Sequence, residues 1–163
     1  AILKQHGHKT DLLVWGEEKD FMNKVRRINP DIIAFSIMSG GHKTAIEKAR
    51  EIKKELDVLT IFGGAHPTFF PQMIEEKGVD VICRGEADYS ISELANNIDK
   101  GKDITKIKDL WVKKKNKIWA NFFFTLAHII DTNATYLNSP NLFGASWKEG
   151  FRRNILIKYK IDY

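Results

Sequence analysis

The hydrophobic positions of the chain alternate between short continuous runs and stretches with helical spacing. Residues 31–36 (DIIAFS) form a near-continuous apolar run, which predicts a strand buried on both faces. The runs at 12–15, 59–64 and 79–83 predict three further strands. Since helical stretches separate the runs, the pattern predicts an α/β fold with a doubly wound parallel sheet.

The stretches between the predicted strands have one apolar side each. The spacing predicts helices over residues 17–28 and 71–77, a third that carries apolar residues from 45 to 56, and a fourth that carries them from 91 to 98. Thr44 with Glu47, and Ser90 with Glu93, have the spacing of capping boxes, which predicts a helix start at each pair.

The two ends of this pattern are less regular. Residues 1–5 are typical of the last turn of a helix capped by Gly7, so we expect the native domain to begin upstream of this chain. Residues 109–113 and 117–120 predict a small hairpin around a lysine cluster. From residue 121 no period is sustained, and we expect an irregular tail or linker over 121–163, with 1–120 as the folded domain.

Composition narrows the classes of function. The 163 residues, 43% hydrophobic and 29% charged, fit a globular domain without membrane spans. The single cysteine, Cys83, cannot build a disulfide framework or by itself hold zinc or an iron–sulfur cluster, and it favours a reducing, cytoplasmic location. The charge of +5 comes from scattered lysines without interleaved aromatic residues, so we expect no nucleic-acid partner.

Three loops rich in glycine and small polar residues follow the predicted strands. They are SIMSGG at 36–41, GGAHPT at 63–68 and RGEAD at 84–88. Taken alone, the Gly63–Gly64 pair is typical of a tight turn. In a parallel sheet, however, the three loops lie side by side at the carboxyl edge, where open α/β folds bind ligands. The sequence contains neither a phosphate-binding P-loop nor a GxGxxG dinucleotide motif.

The loops and the hairpin together resemble a known family. The runs DIIAFSIMSG, IFGGAHPTFFPQMIEEKGVDVICRGEAD and DLWVKKKNKI resemble the cobalamin-binding domain of cobalamin-dependent radical SAM enzymes over residues 1–120. The resemblance implies a flavodoxin-like (Rossmann-type) fold with strand order 2-1-3-4-5. It also implies a corrinoid over the carboxyl edge, whose nucleotide tail enters a slot against the sheet.

The resemblance assigns cofactor-binding roles to twelve residues. In the first loop a serine bonds the buried tail base, in the second a double glycine leaves room for the tail, and in the third an RGE element closes the far side. The second loop's histidine, proline and threonine line the tail or the rim of the corrin. The matching positions here are Ser36, Met38, Ser39, Gly40, Gly63, Gly64, His66, Pro67, Thr68, Arg84, Gly85 and Glu86.

The sequence also departs from the family pattern. The histidine that ligates cobalt in many cobalamin proteins would precede residue 1, and His66 does not take its place, so we expect base-off cobalamin without a histidine ligand on this chain. The C-x-x-x-C-x-x-C cluster motif is absent. We therefore expect no catalytic residue here, with the iron–sulfur cluster and S-adenosylmethionine held only by an absent radical SAM catalytic domain of a methyltransferase-type enzyme.

The family's central first strand is missing from this sequence, which leaves two predicted strands with an unpaired gap between them. One hypothesis is that ILIKY at 155–159 folds back into that gap, and the other, which we favour from sequence, is a truncated fragment of a longer gene product. Two alternative functions also stay open. One is a non-catalytic flavodoxin-like module that binds a nucleotide, a flavin or a protein, and the other is an inactive remnant.

Overall fold

A computed structural model describes residues 1–115, residues 117–121 and, as backbone only, residues 154–159. The helices are α1 (Ile2–Gln5), α2 (Phe21–Ile28), α3 (His42–Lys53), α4 (Ala65–Phe69) and α5 (Asp88–Asp99). The strands are β1 (Lys9–Val14), β2 (Ile32–Ser36), β3 (Leu59–Gly63), β4 (Val81–Cys83), β5 (Leu110–Lys114), β6 (Lys117–Ala120) and β7 (Asn154–Tyr159).

The strands form one seven-stranded sheet in the order β1-β7-β2-β3-β4-β5-β6. Strands β2, β3 and β4 are parallel, and β5 and β6 extend the sheet as an antiparallel hairpin. Strand β1 runs in the same direction as β2, because both are antiparallel to β7, which lies between them. The predicted α/β architecture with a parallel core and a terminal hairpin is confirmed.

Strand β7 lies between β1 and β2, at the place where the sequence predicts an unpaired gap. Its register pairs Leu12 with Leu156 on one side and Ala34 with Leu156 on the other. The hypothesis that residues 155–159 fold back into the sheet is confirmed, so this segment of the predicted tail is a strand. Backbone groups of β1 and β2 that would lack partners gain them from β7. The rest of the predicted tail beyond Asn121 lies outside the described residues.

Each face of the sheet carries its own apolar core. On what we call the slot face, α1 and α5 cover residues such as Ile32, Ile61 and Val81. On the opposite face, α2 and α3 cover residues such as Phe35 and Phe62. The strands are apolar at successive positions because side chains point alternately to these two buried faces.

Two predicted helix starts are wrong. Helix α3 begins at His42 and α5 at Asp88, so Thr44 and Ser90 lie inside the helices rather than at their caps. The Ser90 hydroxyl instead donates to the Lys108 carbonyl oxygen at 2.9 Å, which ties α5 to the approach of β5.

The segment after the double glycine also differs from the prediction. Helix α4 begins directly after Gly64, and the predicted helix at 71–77 is a 3-10 helix, Pro71–Glu75. Pro67 lies in the first turn of α4, where proline is tolerated because the first backbone N–H groups have no intrahelical partner. The loop after β3 is therefore short, and α4 lies at the carboxyl edge of the sheet.

Candidate functional site

The side chains on the slot face become smaller toward the carboxyl ends of the parallel strands. Along β2 the series on this face is Ile32, Ala34, Ser36, and in β4 it is Val81, Cys83. In β3 it is Leu59, Ile61, Gly63. Since side chains on one face recur every second residue, the small residues end side by side. The sheet surface is therefore lowered at its carboxyl edge.

A slot of about 460 Å³ lies above this lowered surface. Its floor includes Ala34, Ser36, Gly63 and Cys83, and its walls include residues of α1 and α5 such as Leu3 and Ile91. The slot thus extends from the carboxyl edge inward between the sheet and two helices. It joins the carboxyl ends of β2, β3 and β4.

The first helix is held over the slot by a buried histidine. His8 follows α1, and its Nε2 lies 3.0 Å from Asn96 Oδ1, while its Nδ1 lies 3.1 Å from Asp99 Oδ2. Both partners belong to α5. His8 therefore fixes the two helices that wall the slot relative to each other, although a helix of four residues has little stability of its own.

The two glycines that end β3 serve different purposes. A Cβ at Gly63 would point into the slot and meet only the Cys83 Cβ, at 4.0 Å. Gly64 has φ +99°, and a Cβ there would lie 2.7 Å from the Ile37 carbonyl oxygen. Hydrogen bonds from Ile37 N to Gly63 O and from His66 N to Ile37 O draw these backbones together. Gly63 leaves space, whereas Gly64 allows the chain to turn and approach Ile37.

Thr68, Arg84 and Gly85 join the second and third loops. The Thr68 hydroxyl donates to Gly64 O at 2.8 Å and accepts from Gly85 N at 3.1 Å. Arg84 Nε donates to Thr68 O at 3.2 Å, and its guanidinium lies 5.2 Å from the centre of the Trp111 ring. Partial burial lowers the pKa of Arg84. These hydrogen bonds hold the second and third loops, which form the rim of the carboxyl edge, in one arrangement.

His66 lies on the opposite face rather than in the slot. Its ring is stacked between His42, with centroids 4.0 Å apart, and Phe70, at 5.0 Å. Its Nδ1 is 3.2 Å from Ser39 Oγ. Burial, and secondarily the charge of His42, lowers the pKa of His66. His42, His66 and Phe70 line a separate cleft of about 510 Å³ beside α3.

The remaining predicted residues lie at the edge in differing environments. Met38, Ser39, Gly40 and Glu86 are exposed, and Pro67 is buried. Met38 belongs to a set of large apolar side chains in the three loops and adjoining helix ends that are 45–87% exposed. The set consists of Met38, Phe69, Phe70 and Tyr89. Of the twelve predicted positions, the structure brings Ser36, Gly63 and Gly64 together on the slot.

Sequence reasoning missed Cys83 as part of the slot. The side chain is 1% exposed, and burial, together with the nearby Asp109 and Glu86 carboxylates, raises the pKa of its thiol to about 12. The alternation Val81, Cys83 matches Ile61, Gly63 in the neighbouring strand, and this signal places Cys83 on the same face. Ala34, Leu3 and Ile91 were also missed, and for the two helical residues no local signal exists.

The part of the chain that the structure describes contains neither a metal-binding cluster of side chains nor a membrane-spanning helix. No group of three or more His, Cys, Asp or Glu side chains within the described ranges could hold a metal ion. Among those same residues, no helix is both long and apolar enough to cross a membrane.

Comparisons with known proteins place the site in context. A family model described as B12 binding domain matches residues 1–95 of the chain. No curated protein matches the chain.

Several solved structures have a similar fold. The radical S-adenosylmethionine methyltransferase TsrM from Kitasatospora setae, solved with cobalamin and a 4Fe–4S cluster bound, is 17% identical with a TM-score of 0.56, over 68% of this chain and 22% of that one. The cobalamin-dependent S-adenosylmethionine radical enzyme OxsB, with aqua-cobalamin and S-adenosylmethionine bound, is 21% identical with a TM-score of 0.53, over 65% of this chain and 16% of that one. At these identities the likeness concerns the fold, and the chain spans about a fifth of the length of these proteins.

Proposed function

The chain belongs to the B12-binding domain family, whose model matches 95 of its 163 residues, and we propose that the slot at the carboxyl edge receives the nucleotide tail of the cobalamin. A single observation carries this proposal. The slot exists because the strands end in small residues on this face, Ser36, Gly63 and Cys83, whereas the larger Ile32, Ile61 and Val81 lie earlier in the same strands.

The residues fit such a ligand. The tail of cobalamin ends in a flat, apolar dimethylbenzimidazole, which requires apolar walls and backbone clearance together with a few polar partners. Leu3 and Ile91 supply the walls, and Gly63 supplies the clearance, since any side chain there would enter the same space. The exposed Ser36 hydroxyl at the end of β2 is available to hydrogen-bond the tail.

The loops at the edge suit the corrin ring itself. A corrin presents a broad apolar face bordered by amide side chains, and the exposed Met38 precedes the polar Ser39 and the small Gly40 at the same edge. We assign Pro67, Thr68, Arg84, Gly85 and Glu86 to the rim that supports the ring, and the hydrogen bonds through Thr68 keep that rim in place.

No side chain of the described residues is proposed as a cobalt ligand. His66 is stacked between His42 and Phe70 on the opposite face, and its Nδ1 contacts Ser39. A cobalamin held with its tail in the slot would be base-off, and none of the described histidines would supply a ligand to its cobalt. When bound, it supplies a cobalt that can carry a methyl group.

We further propose that the domain is the corrinoid-carrying module of a radical SAM enzyme of the methyltransferase type. The fold likeness to TsrM and OxsB, each several times longer than this chain, supports this assignment. A separate catalytic domain would then hold the iron–sulfur cluster, the S-adenosylmethionine and the catalytic residues. A cytoplasmic location and the lack of nucleic-acid or membrane partners stay predictions.

The proposal is tested by a visible absorption titration of the full chain with hydroxocobalamin and methylcobalamin. We expect saturable binding with a shift toward the base-off spectrum. Gly63→Leu should weaken binding by about a hundredfold or more, since its side chain fills the slot without strain elsewhere.

The matched control is Ala120→Leu, which adds a similar side chain at an exposed position of the hairpin. It should bind as the original chain does, and circular dichroism should show that both variants fold. No binding by a folded original chain would contradict the proposal and favour a flavodoxin-like module for another nucleotide or a protein. Unchanged binding by Gly63→Leu would place the cobalamin elsewhere.

A further inference from the structure

We propose that His66 positions the loop Met38–Gly40 for the corrin ring and thereby couples corrinoid binding to pH. This inference rests on the proposed function, because it concerns the loop assigned there to the corrin. It goes further by giving a role to the stacked histidines on the opposite face, which lie outside the slot. His66 is a positioning residue here, since it acts through Ser39 rather than on the ligand.

The loop after β2 has little stiffness of its own. Met38 and Ser39 are followed by two glycines, and glycine is the residue with the most backbone freedom. The regular part of the loop is one 3-10 turn, Ser39–Gly41, in which Gly41 N donates to Met38 O at 2.9 Å. Since Met38, Ser39 and Gly40 are all exposed, burial does not fix them either. The loop therefore needs contacts from outside to hold one conformation.

His66 supplies two such contacts, one on each side of Met38. Its backbone N donates to Ile37 O at 3.3 Å, and its ring Nδ1 lies 3.2 Å from Ser39 Oγ. The residue is 7% exposed, so packing holds the ring in place. Because Ile37 and Ser39 are both tied to one buried residue, Met38 between them is presented at the edge in a defined position.

His42 completes the arrangement from the start of α3. Its Nδ1 donates to Ser39 O, because a backbone carbonyl oxygen can only accept. Its ring stacks on that of His66 with an interplanar angle of 14°. One imidazole thus contacts the carbonyl oxygen of Ser39 and the other contacts its hydroxyl. The two rings and the loop form one hydrogen-bonded unit.

The same arrangement opposes protonation of His66. Burial lowers the pKa of the ring, and the charge of His42 lowers it further. The other charged groups that line the cleft with His66 are Lys43, Glu47 and Arg50 of α3, and Glu76 after the 3-10 helix Pro71–Glu75. Of these, Arg50 and Glu76 are paired with each other at 2.6 Å.

Protons therefore compete with the ordered loop. An open loop would expose the His66 ring to water, where its pKa returns toward 6.5, so the open form takes up a proton at a higher pH than the ordered form. A corrin seated on Met38 favours the ordered form and hence the neutral ring. By this linkage, corrinoid affinity is full above about pH 6.5 and falls as the pH drops below it.

The experiment measures the dissociation constant of methylcobalamin for the full chain by absorption titration from pH 8 to pH 5.5. We expect binding to be up to about tenfold weaker at pH 5.5 than at pH 7, which is the most that one proton allows over that interval. His66→Asn keeps a hydrogen-bonding group near the position of Nδ1 but cannot be protonated, so it should remove this pH dependence. The matched control is His6→Asn at an exposed histidine, which should keep the original profile.

Two further variants test the route through Ser39. Ser39→Ala and His66→Phe each remove the hydrogen bond between loop and ring, and each should weaken binding about two- to tenfold at pH 7. The double variant should lose no more than either single variant, because both changes remove the same contact. Additive losses would show that Ser39 acts on the corrinoid directly and would overturn the positioning role. Because Ser39 is exposed, Ser39→Ala tests the contact even if a change at the buried His66 prevents folding.

A second readout does not depend on a corrinoid. With the methionine methyl groups labelled, the NMR signal of Met38 in the unliganded chain should change with the same pH midpoint as the His66 ring. Met22 on α2 serves as the reference. The response of Met38 should be lost in His66→Asn and in Ser39→Ala. A Met38 signal that does not change with pH, or that changes equally in these variants, would overturn the inference.

The outcomes separate this inference from the proposed function. Equal methylcobalamin affinity at pH 7 and pH 5.5, or a pH profile that His66→Asn leaves unchanged, would overturn the coupling and leave cobalamin binding intact. No binding of methylcobalamin by the folded chain would contradict the proposed function and the coupling with it. The NMR response of Met38 would then decide the positioning role by itself.

Discussion

The two faces of the sheet differ most at its carboxyl edge. On the slot face, Ala34, Gly63 and Cys83 leave an opening beneath α1 and α5. On the opposite face, Phe35 stacks on Phe62 with centroids 4.6 Å apart, and the apolar packing continues to the last residues of the strands. The space for a ligand is thus obtained by omitting side chains from one face, while the packing that fixes the backbone is concentrated on the other.

The largest effect on stability should come from the packed face. Phe35→Ala removes a ring that is 2% exposed and should lower the free energy of unfolding by about 3–5 kcal/mol. Cys83→Ala, on the slot face, should cost only about 1 kcal/mol. Urea unfolding measures both, and equal losses would show that the two faces contribute alike.

A second large effect concerns the reactivity of the thiol. Because the pKa of Cys83 is raised from 9.0 to about 12, alkylation at pH 8 should be about a thousandfold slower in the folded chain than in urea. The folded state holds its proton more tightly, so stability should be full below about pH 9 and decrease as the pH rises toward 12. If Cys83 were alkylated as fast in the folded chain as in urea, its thiol would not be buried in the floor of the slot.

The neighbouring glycines provide a smaller and sharper comparison. Gly64→Ala should destabilise the fold by about 1–3 kcal/mol, because φ +99° disfavours a side chain and the Ile37 carbonyl oxygen is too close. Gly63→Ala should change stability by less than about 1 kcal/mol. If thermal unfolding finds the two variants equally stable, the close approach to Ile37 is not a constraint on the fold.

The smallest effect is expected from the histidine stack on the opposite face. The pKa of His66 is lowered by burial and by His42, so the unfolded chain takes up the proton first. Stability should therefore be full above about pH 6.5 and fall as the pH drops below it. His66→Phe keeps a stacked ring and should reduce this acid dependence. An unchanged pH profile in the variant would show that His66 does not contribute.

Much of the architecture could be predicted from the sequence because it follows from local alternation. The run DIIAFS is apolar at successive positions, so its burial between two layers was evident, and the family was predicted from the motifs around Gly63 and Arg84. The decrease in side-chain size toward Gly63 and Cys83 on the slot face is also present in the sequence.

Other features of the fold and the site depend on contacts that the alternation of side chains along the strands does not encode. His66 lies on the opposite face because α4 begins at Ala65 and ends the period of two. The start of α5 at Asp88 rather than Ser90 reflects the Lys108 carbonyl, which takes the serine hydroxyl. The place of β7 is set by the unpaired edges of β1 and β2, which lie far away in sequence.

The insertion of β7 has a consequence for how the protein is made. Strand β1 is synthesised well before its hydrogen-bonded neighbour, Asn154–Tyr159. The same segment is also a hydrogen-bonded neighbour of β2. During synthesis both strands therefore expose pairing edges while most of the chain is being added. A version of this chain that ended before residue 154 would lack the strand that pairs with both β1 and β2, and its sheet would be open between them.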